Sequence, residues 1–350
     1  MIGFVRNYFV EVWESWNEFW FVPTNPATLS AIRVLAGAML LYTHLIWTYD
    51  LDAFFGPQGW LPPALMQEID SPPNAVDVPA RWNWSYFNHI ESSPLLWTVH
   101  IAALVVFFLL TIGLFSRTMA ILAFAATVSY SNRVTPGAFF GLDTINSMLA
   151  MYLMLGPCGA RYSCDRLWRM RRGEPSEPSA SVTANVAIRL IQIHMCVVYL
   201  FSGLGKVRGD DWWYGSAAWI SLANLEYQTL DMTWIGNYPL LINLLTVVTV
   251  FWELSYCALI WPRLTRPWML LIAVFIHCGI IFALGMPTFG LVMLIGNLAF
   301  ISPSTVQKFF DPLARRVSLA VLGSEGQGGA SPPPTRVPVN PQSPTLGIPR

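Results

Sequence analysis

The feature that most restricts this chain is a series of apolar segments, each about as long as a helix that crosses a lipid bilayer. They lie near residues 29–49, 95–115, 118–134, 138–156, 185–207, 238–261 and 267–302. The last segment is too long for one crossing and is interrupted by Gly285, Met286 and Pro287, which predicts two spans or a re-entrant pair. Hydrophobic residues make up 54% of the chain and charged residues only 11%. We therefore predict an all-α, polytopic integral membrane helical bundle of about eight spans.

The arginines predict how this bundle is oriented. The strongest positive cluster consists of Arg161, Arg166, Arg169, Arg171 and Arg172. Loops rich in lysine and arginine stay in the cytoplasm. With an even number of crossings, this places both the N-terminus and the C-terminus in the cytoplasm. Residues 50–94 and 208–237 then form outer loops.

The two ends of the chain differ from the apolar region between them. Residues 1–24 mix three glutamates with many aromatic side chains and offer no signal-peptide cleavage site. This composition predicts an interfacial amphipathic helix, with a plain surface helix as the alternative. Residues 25–302 form the transmembrane domain, and residues 303–350 form a cytoplasmic tail. The part of the tail from about residue 323 is rich in Gly, Pro and Ser and is predicted to be disordered.

Composition also argues against several classes of function. The formal net charge is zero and no basic block alternates with aromatic residues, so a nucleic-acid partner is not expected. The five cysteines show no paired CxxC spacing, and no HxxxH or HExxH motif occurs. We predict no disulfide framework and no metal site. Membrane lipid is the expected surrounding of the chain.

One lysine near the end of an apolar segment is the strongest candidate for chemistry. Lys206 is one of only two lysines in the chain. At 100° per residue it shares one helix face with Gln192, Met195, Tyr199 and Ser202, so a polar stripe leads to it. The alternative is that Lys206 merely extends into the lipid headgroups, as lysines near helix ends often do.

Other polar residues in the apolar segments are candidates for the same pocket or for structural roles. Arg33 and Glu253 are interpreted as structural, because a buried charge is costly unless it is paired. The candidate partners of Glu253 are Arg33 or a polar group on a neighbouring helix. The candidate pocket residues besides the stripe are Asp143, Asn146, His277, Trp212 and Trp213. For a lone membrane histidine, an interhelical hydrogen bond is the alternative to a ligand contact.

Several segments, taken in order, resemble one family. VYLFSGLGKVRGDDWWYGSA is similar to a segment of the vitamin K-dependent gamma-carboxylases and their HTTM (horizontally transferred transmembrane domain) relatives in bacteria. NPATLSAIRVLAG resembles the opening span of the family, and GARYSCDRLW resembles the stretch before its lysine span. WELSYCALIWPRLTRP and FIHCGIIFALGMPTFGLVML resemble its later helices. The resemblance is collinear over about residues 25–302.

This resemblance implies a fold and an activity. In the carboxylases, the lysine corresponding to Lys206 deprotonates a reduced quinone of the vitamin K type. Oxygenation of that quinol then yields a strong base, and a substrate glutamate is carboxylated. The resemblance implies that Lys206 is a general base at an outward-facing, lipid-accessible site shaped by His277, Trp212 and Trp213. It also implies a lipid-soluble small molecule as partner and the cytoplasmic membrane of a bacterium as location.

The chain departs from the carboxylases in ways that favour a second hypothesis. They carry two adjacent lysines where this chain has Gly205 and Lys206, and a histidine where it has Leu142 and Asp143. They also carry a large luminal domain after the membrane region, which we do not expect here. The alternative is a non-enzymatic membrane protein that retains the fold: a lipid-ligand binder, an immunity-type protein or a partner subunit of another membrane protein.

Overall fold

The computed structural model describes residues 2–62, 65, 84–133, 140–175, 177–226 and 228–322. The described residues up to 310 belong to one compact unit, and the described residues from 311 to 322 belong to a second. The candidate site lies in the first unit. The disorder predicted from about residue 323 falls outside the described residues, as do residues 63, 64 and 66–83 of the predicted outer loop at 50–94.

Within the described residues, every regular element is helical and no strand is formed. The α-helices are α1 (Ile2–Phe21), α2 (Ala27–Trp47), α3 (Leu51–Phe55), α4 (Ser93–Ile112), α5 (Ser116–Arg133), α6 (Gly141–Leu155), α7 (Cys164–Arg171), α8 (Val182–Val207), α9 (Asp210–Trp213), α10 (Ala217–Leu222), α11 (Pro239–Leu259), α12 (Arg266–Ala283), α13 (Pro287–Asn297) and α14 (Pro303–Leu322). The prediction of an all-α membrane helical bundle is confirmed.

A helix occupies each of the predicted spans, but the helices differ in length and polarity. Five stretches of the described chain are long and apolar enough to cross a bilayer: Ala27–Phe55, α4, α8, α11 and α12. A sixth is reached if one bent pair of helices near the C-terminal end counts as a single span. The 15 residues of α6 reach about 22 Å, less than the hydrocarbon thickness of about 30 Å. Eight crossings and cytoplasmic termini therefore stay predictions.

The core is built around α2. Every residue from Ala27 to Arg33 is buried, and Leu29, Ile32, Ala36 and Leu40 belong to the central apolar cluster. Helix α4 approaches α2 closely at Gly37. A Cβ placed on Gly37 would lie 3.0 Å from the Cα of Thr111. Backbone contact of this kind is how small residues pack membrane helices in the absence of a hydrophobic driving force.

The antiparallel pair α8 and α11 carries the candidate site. Tyr199 of α8 stacks on Tyr256 of α11 with ring centroids 4.3 Å apart, and Ser202 lies opposite Glu253. Helix α1 is fixed to the beginning of α8, because the Asn185 amide donates to two carbonyls in the last turn of α1. The helix predicted within residues 1–24 is thus present in the structure. Its position at a membrane interface stays a prediction.

Candidate functional site

An ion pair between α8 and α11 forms the centre of the site. The Nζ of Lys206 donates to Oε1 of Glu253 over 2.9 Å and lies 2.8 Å from Oε2. The hydroxyl of Ser202 accepts from the same ammonium at 2.7 Å and donates to Oε1 at 3.3 Å. The Lys206 side chain is 22% exposed and that of Glu253 only 9%. The charge of Lys206 is therefore balanced by the carboxylate of Glu253, a residue for which the sequence had suggested a separate, structural role.

The Lys206 side chain turns back along its own helix. Side chains of an α-helix lean toward its N-terminus, and Lys206 bonds Ser202, which lies four residues earlier. A snorkelling lysine would extend beyond the end of the helix into the headgroups. Lys206 therefore does not adopt the arrangement that its position near a helix end suggests.

The ion pair lies far from the first residue of α11. Glu253 follows the first residue of α11, Pro239, by 14 positions, which corresponds to about 21 Å along the helix. The segment 208–237 packs beside the earlier part of α11. There the Thr246 hydroxyl accepts from the backbone N–H of Ala218 and donates to the Gly215 carbonyl. The predicted outer loop at 208–237 thus covers the flank of α11 between its first turn and the ion pair.

The two predicted tryptophans have different positions. A short turn after α8 brings the ring of Trp212 near Lys206, with Nζ 5.3 Å from the ring centroid. This is within the range of a cation–π contact. Trp213 is 70% exposed, and its indole N–H donates to the Val207 carbonyl at 2.7 Å. Trp212 therefore contacts the site, whereas Trp213 donates a hydrogen bond to a carbonyl at the end of α8.

The chemistry open to the pair follows from its hydrogen bonds. Oε2 of Glu253 lies close to the ammonium but off the direction of a hydrogen bond, and no described residue donates to it. The site thus offers an oxygen that can accept a proton or a hydroxyl donor. It also offers an ammonium from Lys206 that can stabilise a negative charge formed nearby.

A second polar cluster lies one to two turns from the ion pair. The hydroxyl of Tyr199 is 2.7 Å from Nε2 of His277, and Asn297 donates to that same hydroxyl over 2.8 Å. Tyr256 donates to Oδ1 of Asn297 at 2.6 Å. The cluster joins α8, α11, α12 and α13 through side chains that are all buried. Tyr199 and His277 were predicted as pocket residues, and the structure brings them together.

Three other predicted pocket residues lie elsewhere. Gln192 lies ten residues before Ser202 on α8, and its amide donates to the Ala299 carbonyl at 2.7 Å. Asp143 accepts from the backbone N–H of Phe140 at 2.9 Å and so stabilises the first turn of α6. Asn146 is buried in α6, and no described residue donates to its Oδ1. Neither Gln192 nor Asp143 makes a hydrogen bond to the ion pair.

Asp143 also lines a separate groove. This groove has a volume of about 410 Å³ and lies between α2, α3, α6 and α13. Its lining residues include Tyr42, Trp47, Phe54 and Phe140. The groove is therefore aromatic, and Asp143 belongs to its wall rather than to the ion pair.

Arg33 has a different set of partners from the one considered in the sequence analysis. Its guanidinium does not bond Glu253. It donates to the carbonyls of Leu110 at 2.9 Å and Thr111 at 2.5 Å, and also to those of Arg161 and Tyr162. Arg33 is completely buried. It therefore ties the end of α4 to the segment before α7, which is a structural role.

Two residues of the polar cluster escaped the sequence analysis. Tyr256 lies three positions after Glu253, so helical spacing already placed the two on neighbouring parts of one face. Asn297 is a lone amide in the last apolar segment, and such groups in lipid usually hydrogen-bond another helix. The sequence therefore contained a signal for each of the two residues, but neither signal identified the side chain to which the residue bonds.

The distance between α8 and α11 at the site depends on Gly203. A Cβ added there would lie 3.0 Å from Cδ2 of Leu254 and 3.2 Å from Cβ of Glu253, whereas a Cβ on Gly205 would meet nothing within 4 Å. We expect Gly203→Ala to be less stable than Gly205→Ala by about 1–3 kcal/mol, the usual cost of overpacking. Both substitutions replace a helical glycine with the better helix former alanine, so the difference between their unfolding temperatures in detergent reports mainly the packing effect. Equal unfolding temperatures for Gly203→Ala and Gly205→Ala would contradict a close approach of α8 and α11 at Gly203.

Comparison with known proteins places the chain in a family. No curated protein and no solved structure matches it. A family model of the HTTM domain matches residues 68–304, which is more than half of the chain and includes Lys206, Glu253, His277 and Asn297. The chain therefore belongs to the HTTM domain family.

Proposed function

We propose that this protein is a membrane enzyme that removes a proton from a hydroxyl group of a lipid-soluble, quinol-type molecule, with Lys206 as the base. The observation that carries the proposal is the ion pair of Lys206 and Glu253, held by Ser202 between two apolar helices. Such a pair can hold and release a proton in surroundings that exclude water. The reaction would take place within a membrane, where such substrates dissolve.

The proton transfer can be written with these residues alone. A proton that moves from the Lys206 ammonium to Glu253 leaves a neutral amine and a neutral carboxylic acid. In an environment of low dielectric, this neutral pair avoids part of the cost of burying two charges. The amine then accepts the proton of a bound hydroxyl and becomes an ammonium again. The resulting oxyanion lies beside that ammonium, which stabilises it.

The class of substrate rests on the resemblance to the vitamin K-dependent gamma-carboxylases. It supports a reduced quinone as the hydroxyl donor and carboxylation of a glutamate as the overall reaction. Within the same proposal, the protein lies in the cytoplasmic membrane of a bacterium. The apolar residues around α8 and α11 fit a ligand that enters from lipid.

The second candidate is a non-enzymatic lipid-ligand binder. One observation favours it: an ammonium held by a carboxylate and a hydroxyl is satisfied without any substrate. A buried ion pair of this kind can serve packing alone. Binding without turnover is the result that would support this candidate.

A comparison of the chain's two lysines tests the proposal. Lys308, the other lysine, is exposed on α14. The protein in lipid nanodiscs is given a naphthoquinol, and oxygen consumption is measured for the intact protein, Lys206→Met and Lys308→Met. We expect Lys308→Met to match the intact protein and Lys206→Met to lose at least about 100-fold, the scale of general base catalysis. If Lys206→Met turns over the naphthoquinol as fast as the intact protein does, Lys206 is not the base. Binding of the naphthoquinol without any turnover would favour the lipid-ligand binder.

A further inference from the structure

The groove that Asp143 lines lies at one end of the helical bundle. Its walls are the last two turns of α2, the short helix α3 and the first residues of α6 and α13, and its volume is about 410 Å³. The distribution of arginines predicts that this end is the outer one. Neither Lys206 nor Glu253 lines the groove. We call it the aromatic groove, and it is a cavity that the proposed function does not use.

Four aromatic side chains line the aromatic groove: Tyr42, Trp47, Phe54 and Phe140. The ring of Trp47 packs edge to face against Phe54 and against the buried Phe55, with centroids 4.9 Å and 5.1 Å apart. Two of the four rings are thus held by packing before any ligand binds. The faces of aromatic rings carry partial negative charge and attract cations within about 6 Å of the centroid. The groove therefore presents a preformed surface for a cation.

The aromatic groove also carries two carboxylates, and none of its described lining residues is basic. Asp50 is exposed, and Asp143 is half-buried. The ion pairs of the described chain lie elsewhere, so neither carboxylate has a basic partner there. A carboxylate beside apolar side chains is stabilised by a nearby cation. The charge of the groove therefore complements a positively charged ligand.

The composition of the walls distinguishes between two kinds of cation. Six of the ten described lining residues are aromatic or aliphatic. Against such walls, a primary ammonium loses hydrogen bonds to water unless acceptors replace them. One oxygen of Asp143 already accepts from the backbone N–H of Phe140. A trimethylammonium group has no N–H to satisfy and packs its methyl groups against aromatic rings, so it fits the groove better.

The surroundings of the aromatic groove indicate that the ligand comes from the membrane. Tyr42 and Ile46, on the part of α2 that lines the groove, are each 51% exposed. They belong to a stretch that is long and apolar enough to cross a bilayer, so their exposed surface faces lipid. Asp50 lies three residues beyond the end of α2 and is exposed. The groove thus lies between lipid-facing side chains and an exposed carboxylate, which corresponds to the depth of phospholipid headgroups.

We infer that the aromatic groove binds the trimethylammonium group of a phosphatidylcholine molecule in the outer leaflet. The rings of Trp47 and Phe54 contact its methyl groups, and the carboxylates of Asp50 and Asp143 balance its charge. The acyl chains extend along α2, so the bound lipid joins α2 to the beginnings of α6 and α13. The inference does not depend on the proposed function, because it involves no residue of the ion pair.

Lipids that differ only in their headgroups test the chemistry of the groove. The full chain is purified in detergent, and native mass spectrometry measures its binding of phosphatidylcholine, phosphatidylethanolamine and phosphatidylglycerol with identical acyl chains. We expect phosphatidylcholine to bind at least about tenfold more tightly than phosphatidylglycerol, which has no cation. Phosphatidylethanolamine, whose ammonium is primary, should fall between the two. Phosphatidylcholine should also raise the unfolding temperature more than phosphatidylglycerol does.

Variants of the lining residues test where the headgroup binds. Asp50→Asn and Asp143→Asn each remove one negative charge, and the amide at position 143 can still accept from the N–H of Phe140. We expect each to weaken phosphatidylcholine binding about tenfold. Phe54→Leu keeps an apolar side chain without a ring and should weaken it about fivefold. Glu91→Gln, which removes an exposed carboxylate outside the groove, is the matched control and should bind as the intact protein does.

Several results would overturn the inference. Equal binding of phosphatidylcholine and phosphatidylglycerol would exclude recognition of the cation, and tighter binding of phosphatidylethanolamine would exclude a role for the rings. Because Asp50 is exposed, Asp50→Asn should unfold at the same temperature as the intact protein. If it also binds phosphatidylcholine equally, the lipid does not occupy the groove. Free choline that competes with phosphatidylcholine but binds more weakly would support the lipid as ligand, whereas choline that binds as tightly would refute it.

Discussion

Glu253→Leu is expected to destabilise the protein by about 3 kcal/mol, because it leaves the Lys206 ammonium beside apolar helices without its carboxylate. The Glu253 side chain is 9% exposed and that of Lys206 is 22% exposed, so water replaces only part of the lost interaction. Lys206→Met should be destabilising for the reciprocal reason. Urea unfolding in mild detergent, or thermal unfolding followed by tryptophan fluorescence, measures the difference.

The double substitution distinguishes a structural pair from a catalytic one. Replacing both members of a buried ion pair with apolar residues is often neutral or stabilising. We therefore expect Lys206→Met with Glu253→Leu to be more stable than either single variant and to have no quinol-oxidising activity. Losses of stability that simply add would show that the two residues do not interact. Retained activity in the double variant would exclude the pair from the reaction.

The sequence was sufficient to predict the helical bundle and one face of the site. The 3.6-residue period places Tyr199, Ser202 and Lys206 on one line. In the structure Ser202 and Lys206 belong to the ion pair, and Tyr199 belongs to the neighbouring polar cluster. What the period could not supply is the register of α8 against α11. That register is set by the approach at Gly203 and by the packing of residues 208–237 on α11. The partner of Glu253 was therefore left open between two alternatives.

Side-chain direction was the second quantity that the sequence left undetermined. A lysine in the last turn of an apolar helix can extend outward or turn back, and both are compatible with the same pattern. Ser202, four residues earlier, and Glu253, on another helix, decide the direction in the structure. The first was visible as part of the polar stripe, whereas the second required the tertiary contact.

Asp143 shows the opposite case, in which a local rule explains a residue that was predicted to line the pocket because it is polar within an apolar segment. It is the third residue of α6, where a carboxylate can accept the free N–H groups of the first helical turn. In the structure it accepts from Phe140. A helix-start rule applied at this position would have indicated the bond to the backbone before any contact with a substrate.

Arg33→Lys is expected to be more damaging than its conservative appearance suggests. The planar guanidinium of Arg33 donates through two nitrogens to four carbonyls, those of Leu110, Thr111, Arg161 and Tyr162. A lysine has three donors on one nitrogen and cannot span this arrangement. At least one buried carbonyl would lose its donor, and hydrogen bonds to a charged group contribute about 1.5–3 kcal/mol each. We expect a loss of about 3 kcal/mol or more.

The turn after α4 explains why this loss cannot be absorbed by a local shift. Gly113 has a φ of +71° and a Cβ there would lie 2.7 Å from Nη1 of Arg33, so backbone and guanidinium are already in contact. Asp165 holds the other side of the turn by accepting from the N–H of Ser116 at 2.7 Å.

Arg117→Lys, on the exposed start of α5, is the matched control. The yield of monodisperse protein in size-exclusion chromatography and its thermal unfolding should fall for Arg33→Lys and stay unchanged for Arg117→Lys. Similar behaviour of the two variants would mean that the four carbonyls find other donors, and that α2 is not fixed to α4 through Arg33.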